Sequence, residues 1–152
     1  MVAMIKFRGV PLEDTSDIDE VEFDGTFVYG NYIKYGGSAV IVGDALEVGE
    51  DRFWPSWWVP VNHKTVEQFT GMQDVNGDDI YEGDIIVSKP TEPKYEPLKI
   101  GLVKRSKARA GWCYGTATAT GEYNIWTSGK YRTYEIIGNV HDNQELLVEK
   151  HA

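Results

Sequence analysis

The sequence predicts a mainly β protein, and three observations carry that expectation. Sixteen glycines and six prolines cut the 152-residue chain into short pieces, and only 12–24, 61–70 and 139–152 run ten or more residues without either. A helix of ordinary length has almost no room, because an interior Gly costs about 1 kcal/mol and an interior Pro about 3. The pieces between the breaks are rich in Val, Ile, Tyr, Phe, Trp and Thr, which suit a pleated, half-buried surface. Turn signals recur about every 8–12 residues, the spacing of a small barrel or sandwich.

The first strand candidates are Phe27-Val28-Tyr29 and Ala39-Val40-Ile41-Val42. Ahead of them, residues 12–24 (LEDTSDIDEVEFD) carry seven acids and no base. An acid beside nearly every apolar side chain is poor core material, so this stretch reads as an exposed loop or the approach to a strand, with a short helix as the alternative. A β-rich N-terminal segment is expected over 1–62, ending near Phe53-Trp54-Pro55-Ser56-Trp57-Trp58-Val59-Pro60. Trp54, Trp57 and Trp58 form a candidate aromatic surface. They serve either as a stacking platform for a ligand or base or as a cap over the core between the N- and C-terminal parts.

Residues 63–152 are expected to form a second domain. Thr65-Val66-Glu67-Gln68 fits a capping box whose helix Gly71 would end after about one turn, though the same stretch can pair as a strand. Asp74-Val75-Asn76-Gly77 is the strongest local signal. Asn-Gly tolerates positive φ at both central turn positions, which predicts a tight hairpin between Met72 and Ile80. Asp84-Ile85-Ile86-Val87 is the next strand, and Lys99-Ile100-Gly101-Leu102-Val103 returns beside it. The proline-spaced loop from Pro90 to Pro97 lies between them, too poor in N–H donors for a ladder. Further strands are expected near 111–116, 122–127 and 131–137, with Tyr134-Glu135-Ile136-Ile137 the clearest. Five short strands with one long early loop outline a small SH3-like C-terminal β-barrel.

Two stretches resemble a known family. Thr65 through Gly77, running on through Ile80-Tyr81-Glu82-Gly83-Asp84-Ile85, resembles the central signature of the YopX-like proteins of bacteriophages and prophages. Tyr134-Glu135-Ile136-Ile137-Gly138-Asn139-Val140-His141-Asp142-Asn143, with Glu145-Leu146-Leu147, resembles that family's closing motif. Phe7-Arg8-Gly9 and Val28-Tyr29-Gly30 match its N-terminal landmarks. Glu67 stands where the family usually has glycine, and Gln144 where it has proline. Gln73, Val75 and Asp78 replace frequent lysines, so the hairpin here is acidic. The resemblance implies a β-rich N-terminal part, a C-terminal β-barrel, and a phage or prophage origin within a bacterial host cell. It implies no reaction, ligand or catalytic residue.

Charge and cysteine usage bound the function. Fifteen basic against twenty-four acidic residues give −9, which argues against a generally basic nucleic-acid binder. One cysteine, Cys113, allows no internal disulfide and suits a reducing compartment. The N-terminus reaches charge within six residues and no apolar run is long enough to cross a bilayer, so a cytoplasmic protein without membrane contact is expected. The calcium reading of Asp74, Asn76 and Asp78 fails, because an EF-hand loop would need glycine where Asp79 stands and glutamate where Ile85 stands. His63, His141 and His151 are too dispersed to nucleate a zinc site. Glu82, Asp84 and Glu135 are the only carboxylates singled out for acid–base chemistry, and any acidic protein offers such groups. No nucleophile, phosphate or dinucleotide motif is present. The expectation is a protein without catalytic activity or cofactor.

One segment opposes the overall charge. Residues 94–109 carry six bases against Glu96, a net of +5, which leaves −14 on the remainder. Lys99, Lys104, Arg105, Lys107 and Arg109 are candidate contacts for nucleic acid or a partner, with Trp112 and Tyr114 as stacking residues. Lys104 through Arg109 reads as a turn or loop. The leading expectation is a β-barrel binding or assembly module acting through protein contacts, including self-association. The alternative is a nucleic-acid-binding module using the basic 99–109 loop.

Overall fold

The computed structural model describes residues 6–15, 18, 21–94, 97–107, 110–116, 122–125 and 129–147. The chain is mainly β and divides into two compact units, Met1–Phe69 and Thr70–Ala152.

The first unit is built from β1 (Phe7–Gly9), β2 (Val28–Tyr35), β3 (Ser38–Val42), β4 (Ala45–Gly49), β5 (Arg52–Pro55), β6 (Trp58–Val61) and the first residues of β7 (Glu67–Gln73). Its sheet runs β6-β3-β2-β1 with antiparallel neighbours, and β7 joins β1 through Phe7↔Gln68 and Arg8↔Glu67. Alternation decides the faces: Ala39 and Ile41 on β3 and Val59 and Val61 on β6 point one way and bury with Val28. Each such valine or isoleucine contributes about 1.5–3 kcal/mol when fully buried. Gly9 lets β1 lie against this core, since a Cβ there would sit 2.9 Å from Val61 Cγ2.

The described part of the acidic segment is an irregular, mostly exposed approach to β2, and one part of its expectation is corrected: two of its side chains reach the core. Ile18 and Val21 pack against the core and Thr15 is buried, while Leu12, Glu13, Asp14, Glu22, Phe23 and Asp24 stay exposed. The expected helix start at Thr65 is also corrected. A 3-10 turn covers His63–Thr65, capped by Asn62, whose side chain accepts from the Lys64 amide. The Thr65 hydroxyl donates to Asn62 O at 2.6 Å and accepts the Val10 amide at 2.9 Å, so it is spent before it can cap a helix. Val66 is extended and Glu67 opens β7.

Strands β3, β4, β5 and β6 form one ribbon. Pairs run Ala39↔Val61 to Val42↔Trp58, then Ala45↔Pro55, Leu46↔Trp54 and Glu47↔Phe53, without a change of register. Backbone bonds Gly43 N→Trp57 O and Ser56 N→Asp44 O, both 2.9 Å, carry the ladder through the gap. Pro60 is tolerated because β6 is the outermost strand.

The second unit contains β8 (Asp79–Tyr81), β9 (Asp84–Pro90), β10 (Lys99–Arg105), β11 (Trp112–Gly115), β12 (Tyr123–Asn124) and β13 (Arg132–Asn139). The antiparallel order is β12-β11-β10-β9-β13. The sheet curls far enough for its edge strands to meet, as the Tyr134 hydroxyl on β13 donates to Asn124 O on β12 at 3.4 Å. Ile80, Ile86, Val103, Tyr114 and Tyr134 are the core. Tyr114 stacks on Tyr123 at 5.4 Å and meets Tyr134 edge-on at 6.0 Å. Gly101 makes room for this cluster, since a Cβ there would lie 2.6 Å from Tyr114 Cδ2.

The Asn-Gly hairpin is present between β7 and β8. Gly77 takes φ 84°, and Asp74 N bonds Asp78 O at 2.8 Å. Asp74 is buried and spends its carboxylate on the Asn76, Asp78 and Ile136 amides, which makes it a turn residue. No helix in the described residues is long and apolar enough to cross a membrane.

Candidate functional site

The outer side of the β2-β3-β6 sheet is built by three rows of directly paired residues. They are Tyr35–Ser38, Ile33–Val40–Pro60 and Asn31–Val42–Trp58. Side chains opposite each other on paired strands share a face, so these eight lie on one side of the sheet, with Val42 buried among them. None carries a charge, in a sequence that is 26% charged. Tyr35 is 77% exposed and Trp58 54%, and Ile33 is also exposed. Along the ribbon, Leu46 and Trp54 repeat the pattern as an exposed directly opposed pair, Trp54 at 65%.

The three tryptophans therefore divide. Trp54 and Trp58 are exposed, while Trp57 is half-buried and packs against the first unit's core. Trp57 has room because two glycines face its indole. A Cβ at Gly43 would collide with Trp57 Nε1 and Ser56 Oγ, and one at Gly30 would lie 3.2 Å from Trp57 Cη2. The Trp-Trp pair in sequence hides this split: Trp58 opens β6, whereas Trp57 lies in the gap before it, its carbonyl held by the Gly43 amide.

The strand expected over Lys99–Val103 runs on through Lys104 and Arg105, and Ser106 and Lys107 lie beyond its end. Lys99–Arg105 is β10, and its last residues pair as Lys104↔Cys113 and Arg105↔Trp112. Alternation therefore places Lys99 and Arg105 on one face and Lys104 on the other. Lys99 Nζ lies 3.7 Å from the centre of the Tyr123 ring, and the Arg105 guanidinium 4.5 Å from that of Trp112. Tyr114 is fully buried in the core and offers no stacking surface, which corrects that expectation. Lys107 contributes its amide to Glu122 at 3.0 Å, and Arg109 lies outside the described residues.

Glu122 ties the β10–β11 connection together. It accepts from Ser106 Oγ at 2.5 Å, from the Lys107 amide and from Cys113 Sγ at 3.2 Å. Cys113 is buried. His63 and His141 are exposed, and His151 lies outside the described residues. Among the described residues no three His, Cys, Asp or Glu side chains are grouped to hold a metal. Asp84 is buried and accepts the Tyr81 amide at 2.8 Å, while Glu135 is half-buried, 3.7 Å from Lys89 Nζ.

At the end of the first unit's sheet, a half-open cavity of about 530 Å³ lies between Glu22, Tyr29, Asp44 and Trp57. Sequence reasoning missed it, because its walls come from five separate segments. Beside it, Tyr29 donates its hydroxyl to Asp24 at 2.5 Å. Burial and the Asp24 carboxylate push the Tyr29 phenol well above its usual range. Burial pushes the Asp24 carboxyl up, but the Tyr29 hydroxyl, the Phe27 and Thr26 amides and the Arg8 charge outweigh it and hold the group below its ordinary value.

Residues 15–148 match the family described as YopX protein. No curated protein matches the chain. Among solved structures, "Crystal structure of protein EF1440 from Enterococcus faecalis" is 20% identical, covers 97% of this chain and 100% of its own, and superposes with a TM-score of 0.49.

Proposed function

This chain belongs to the YopX family, and from that premise we propose a non-catalytic binding or assembly module of phage or prophage origin that works by docking on protein, a second copy of itself first. The uncharged outer face of β2-β3-β6 carries this reading. Exposed Tyr35, Ile33 and Trp58 are large apolar anchors of the kind that dominate protein contacts. The patch itself sets no charge against a second copy. Two chains of −9 repel over most of their surfaces, whereas an uncharged patch can face itself across a two-fold axis.

Sedimentation velocity across the micromolar range tests it. The expected result is a concentration-dependent dimer, lost in Ile33→Asp with Trp58→Asp while far-UV circular dichroism and melting are kept. A strict monomer, or a dimer indifferent to both substitutions, overturns the self-association reading.

A second reading, contact with nucleic acid, is supported by Arg105 lying exposed over Trp112. The division of Lys99 and Arg105 from Lys104 weighs against it. It requires salt-dependent binding of single- or double-stranded DNA or RNA that Lys104→Glu with Arg105→Glu weakens. No binding at low salt eliminates it.

A further inference from the structure

The cavity of the first unit has a chemistry distinct from the uncharged face. Its floor is where β3 hands over to β4 and β5 to β6. There the bonds Gly43 N→Trp57 O and Ser56 N→Asp44 O fix Asp44 opposite Ser56. The second carboxylate comes from the acidic segment: Glu22 O accepts the Tyr29 amide at 3.1 Å, which holds Glu22 beside β2 at the rim. Among the described residues, neither the Glu22 nor the Asp44 carboxylate has a hydrogen-bond or ion-pair partner. The Trp57 indole and the Tyr29 ring supply aromatic walls, and Asn31 and Ser56 supply neutral oxygens. Lys6 also lines the cavity, but it is already engaged within the fold and is outnumbered by the two carboxylates.

We propose that this cavity binds a cationic group, an ammonium or guanidinium, held between the Glu22 and Asp44 carboxylates against the Trp57 indole. Aromatic faces attract such cations through the ring quadrupole, and Trp is the best of them. The surrounding field has the same sense, since residues 1–69 hold twelve acids against five bases, a net of −7. A neutral apolar ligand would leave both carboxylates facing it, and an anion would meet them directly. The glycines are part of the construction, because a side chain at Gly43 or Gly30 would displace the indole from the wall it forms. The cavity borders the uncharged face through Asn31 and Val42, while both of its carboxylates lie outside that face's eight residues.

The test is a titration of the ¹⁵N-labelled full chain with agmatine, followed at the Trp57 indole N–H resonance, which is assigned by its loss in Trp57→Phe. The expected result is a saturable shift of that resonance. Asp44→Asn and Glu22→Gln should each weaken the apparent affinity by about two- to fivefold. Both are exposed side chains, so the fold is kept and the spectrum itself reports it. A capped arginine-containing peptide that binds more tightly than agmatine assigns the site to a basic side chain of a protein, and the reverse assigns it to a free amine. No saturable shift up to on the order of 50 mM agmatine overturns the proposal. So does a shift indifferent to both carboxylates, or one produced by sodium phosphate in place of agmatine.

Discussion

The Asp74 carboxylate accepts the Ile136 amide at 3.0 Å, across 62 positions of sequence. Its other oxygen accepts the Asn76 and Asp78 amides at 2.9 and 3.0 Å, so one side chain shapes the β7–β8 turn and fastens it to β13. The Val75 amide bonds Tyr134 O at 2.9 Å and adds a second fastening. Hydrogen bonds to a charged group are worth about 1.5–3 kcal/mol each. Asp74→Ala is therefore expected to lower unfolding free energy by about 3 kcal/mol in urea titration. Asp74→Asn, which keeps one acceptor, should cost about half as much. A loss below about 0.5 kcal/mol for the alanine variant is ordinary for an exposed site and would show that the turn holds itself.

That hairpin marks where sequence reasoning succeeds and where it stops. Asn76-Gly77 announces the turn because its φ requirement is local, and Gly77 meets it. The bond from Asp74 to Ile136 is not local, and nothing around Asp74 signals it. The same division separates the strands from their faces. Val-Ile runs such as Ala39–Val42 and Asp84–Val87 mark β3 and β9 directly. The uncharged outer face appears only once Ile33, Val40 and Pro60 are brought into one row. The bases of 99–105 look like one cluster in sequence, and strand alternation divides them. In the acidic stretch, composition describes the majority of residues, but Ile18 and Val21 are sufficient to anchor it.

The Arg8–Glu67 pair joins β1 to β7 inside the first unit. The ions are 2.9 Å apart with side chains 4% and 9% exposed, and the guanidinium lies 4.0 Å from the centre of the Phe27 ring. Removing one partner of a buried pair strands the other charge at a cost of about 3–5 kcal/mol, whereas apolar replacement of both is often neutral. Glu67→Gln is expected to fall at the lower end of that range, because the amide still accepts one bond. Arg8→Met with Glu67→Leu should recover most of the loss. A double-mutant cycle measures this, and additive single losses would show that the ions do not depend on each other.

The Tyr29–Asp24 bond gives the first unit a pH dependence at both ends. Tyr29 has its folded pKa raised above the ordinary phenol value of 10.0, so the stability it contributes is fully present below about pH 10 and is lost as pH rises towards the folded value. Asp24 has its folded pKa lowered from 3.8, so its contribution is present above that value and is lost as pH falls through the folded one. Tyr29→Phe should therefore flatten the alkaline limb of a thermal-melting profile, and Asp24→Asn the acid limb. Absorbance at the tyrosinate band gives an independent reading. Tyr29 should remain protonated when the exposed tyrosines have ionised, and its share of the signal should be missing in Tyr29→Phe. Melting profiles identical to the parent at both extremes would remove the bond from the account.

Arg132 is buried in the second unit and binds neutral oxygens of β9 and the proline-spaced loop. Its Nε donates to Ser88 Oγ at 2.5 Å, and its Nη2 donates to Ser88 O at 2.9 Å and Pro97 O at 2.6 Å. The Tyr114 hydroxyl donates to the same Ser88 Oγ at 3.2 Å, so the guanidinium also orders the core tyrosine. The fork is what matters, since a lysine ammonium carries the charge but cannot span three acceptors in one plane. Arg132→Lys is expected to cost about 2–3 kcal/mol, the penalty of buried acceptors left without donors. Pro97 precedes β10, so the same substitution should release the point where the loop rejoins the sheet. Hydrogen exchange at the Leu98 and Lys99 amides should then rise more than at Ile86 in the strand interior. Ser88→Ala removes one acceptor and leaves the Pro97 bond in place, so exchange at Leu98 should stay near the parent value. Equal acceleration in both variants would mean that Arg132 acts through overall stability alone, and the loop anchor would be rejected.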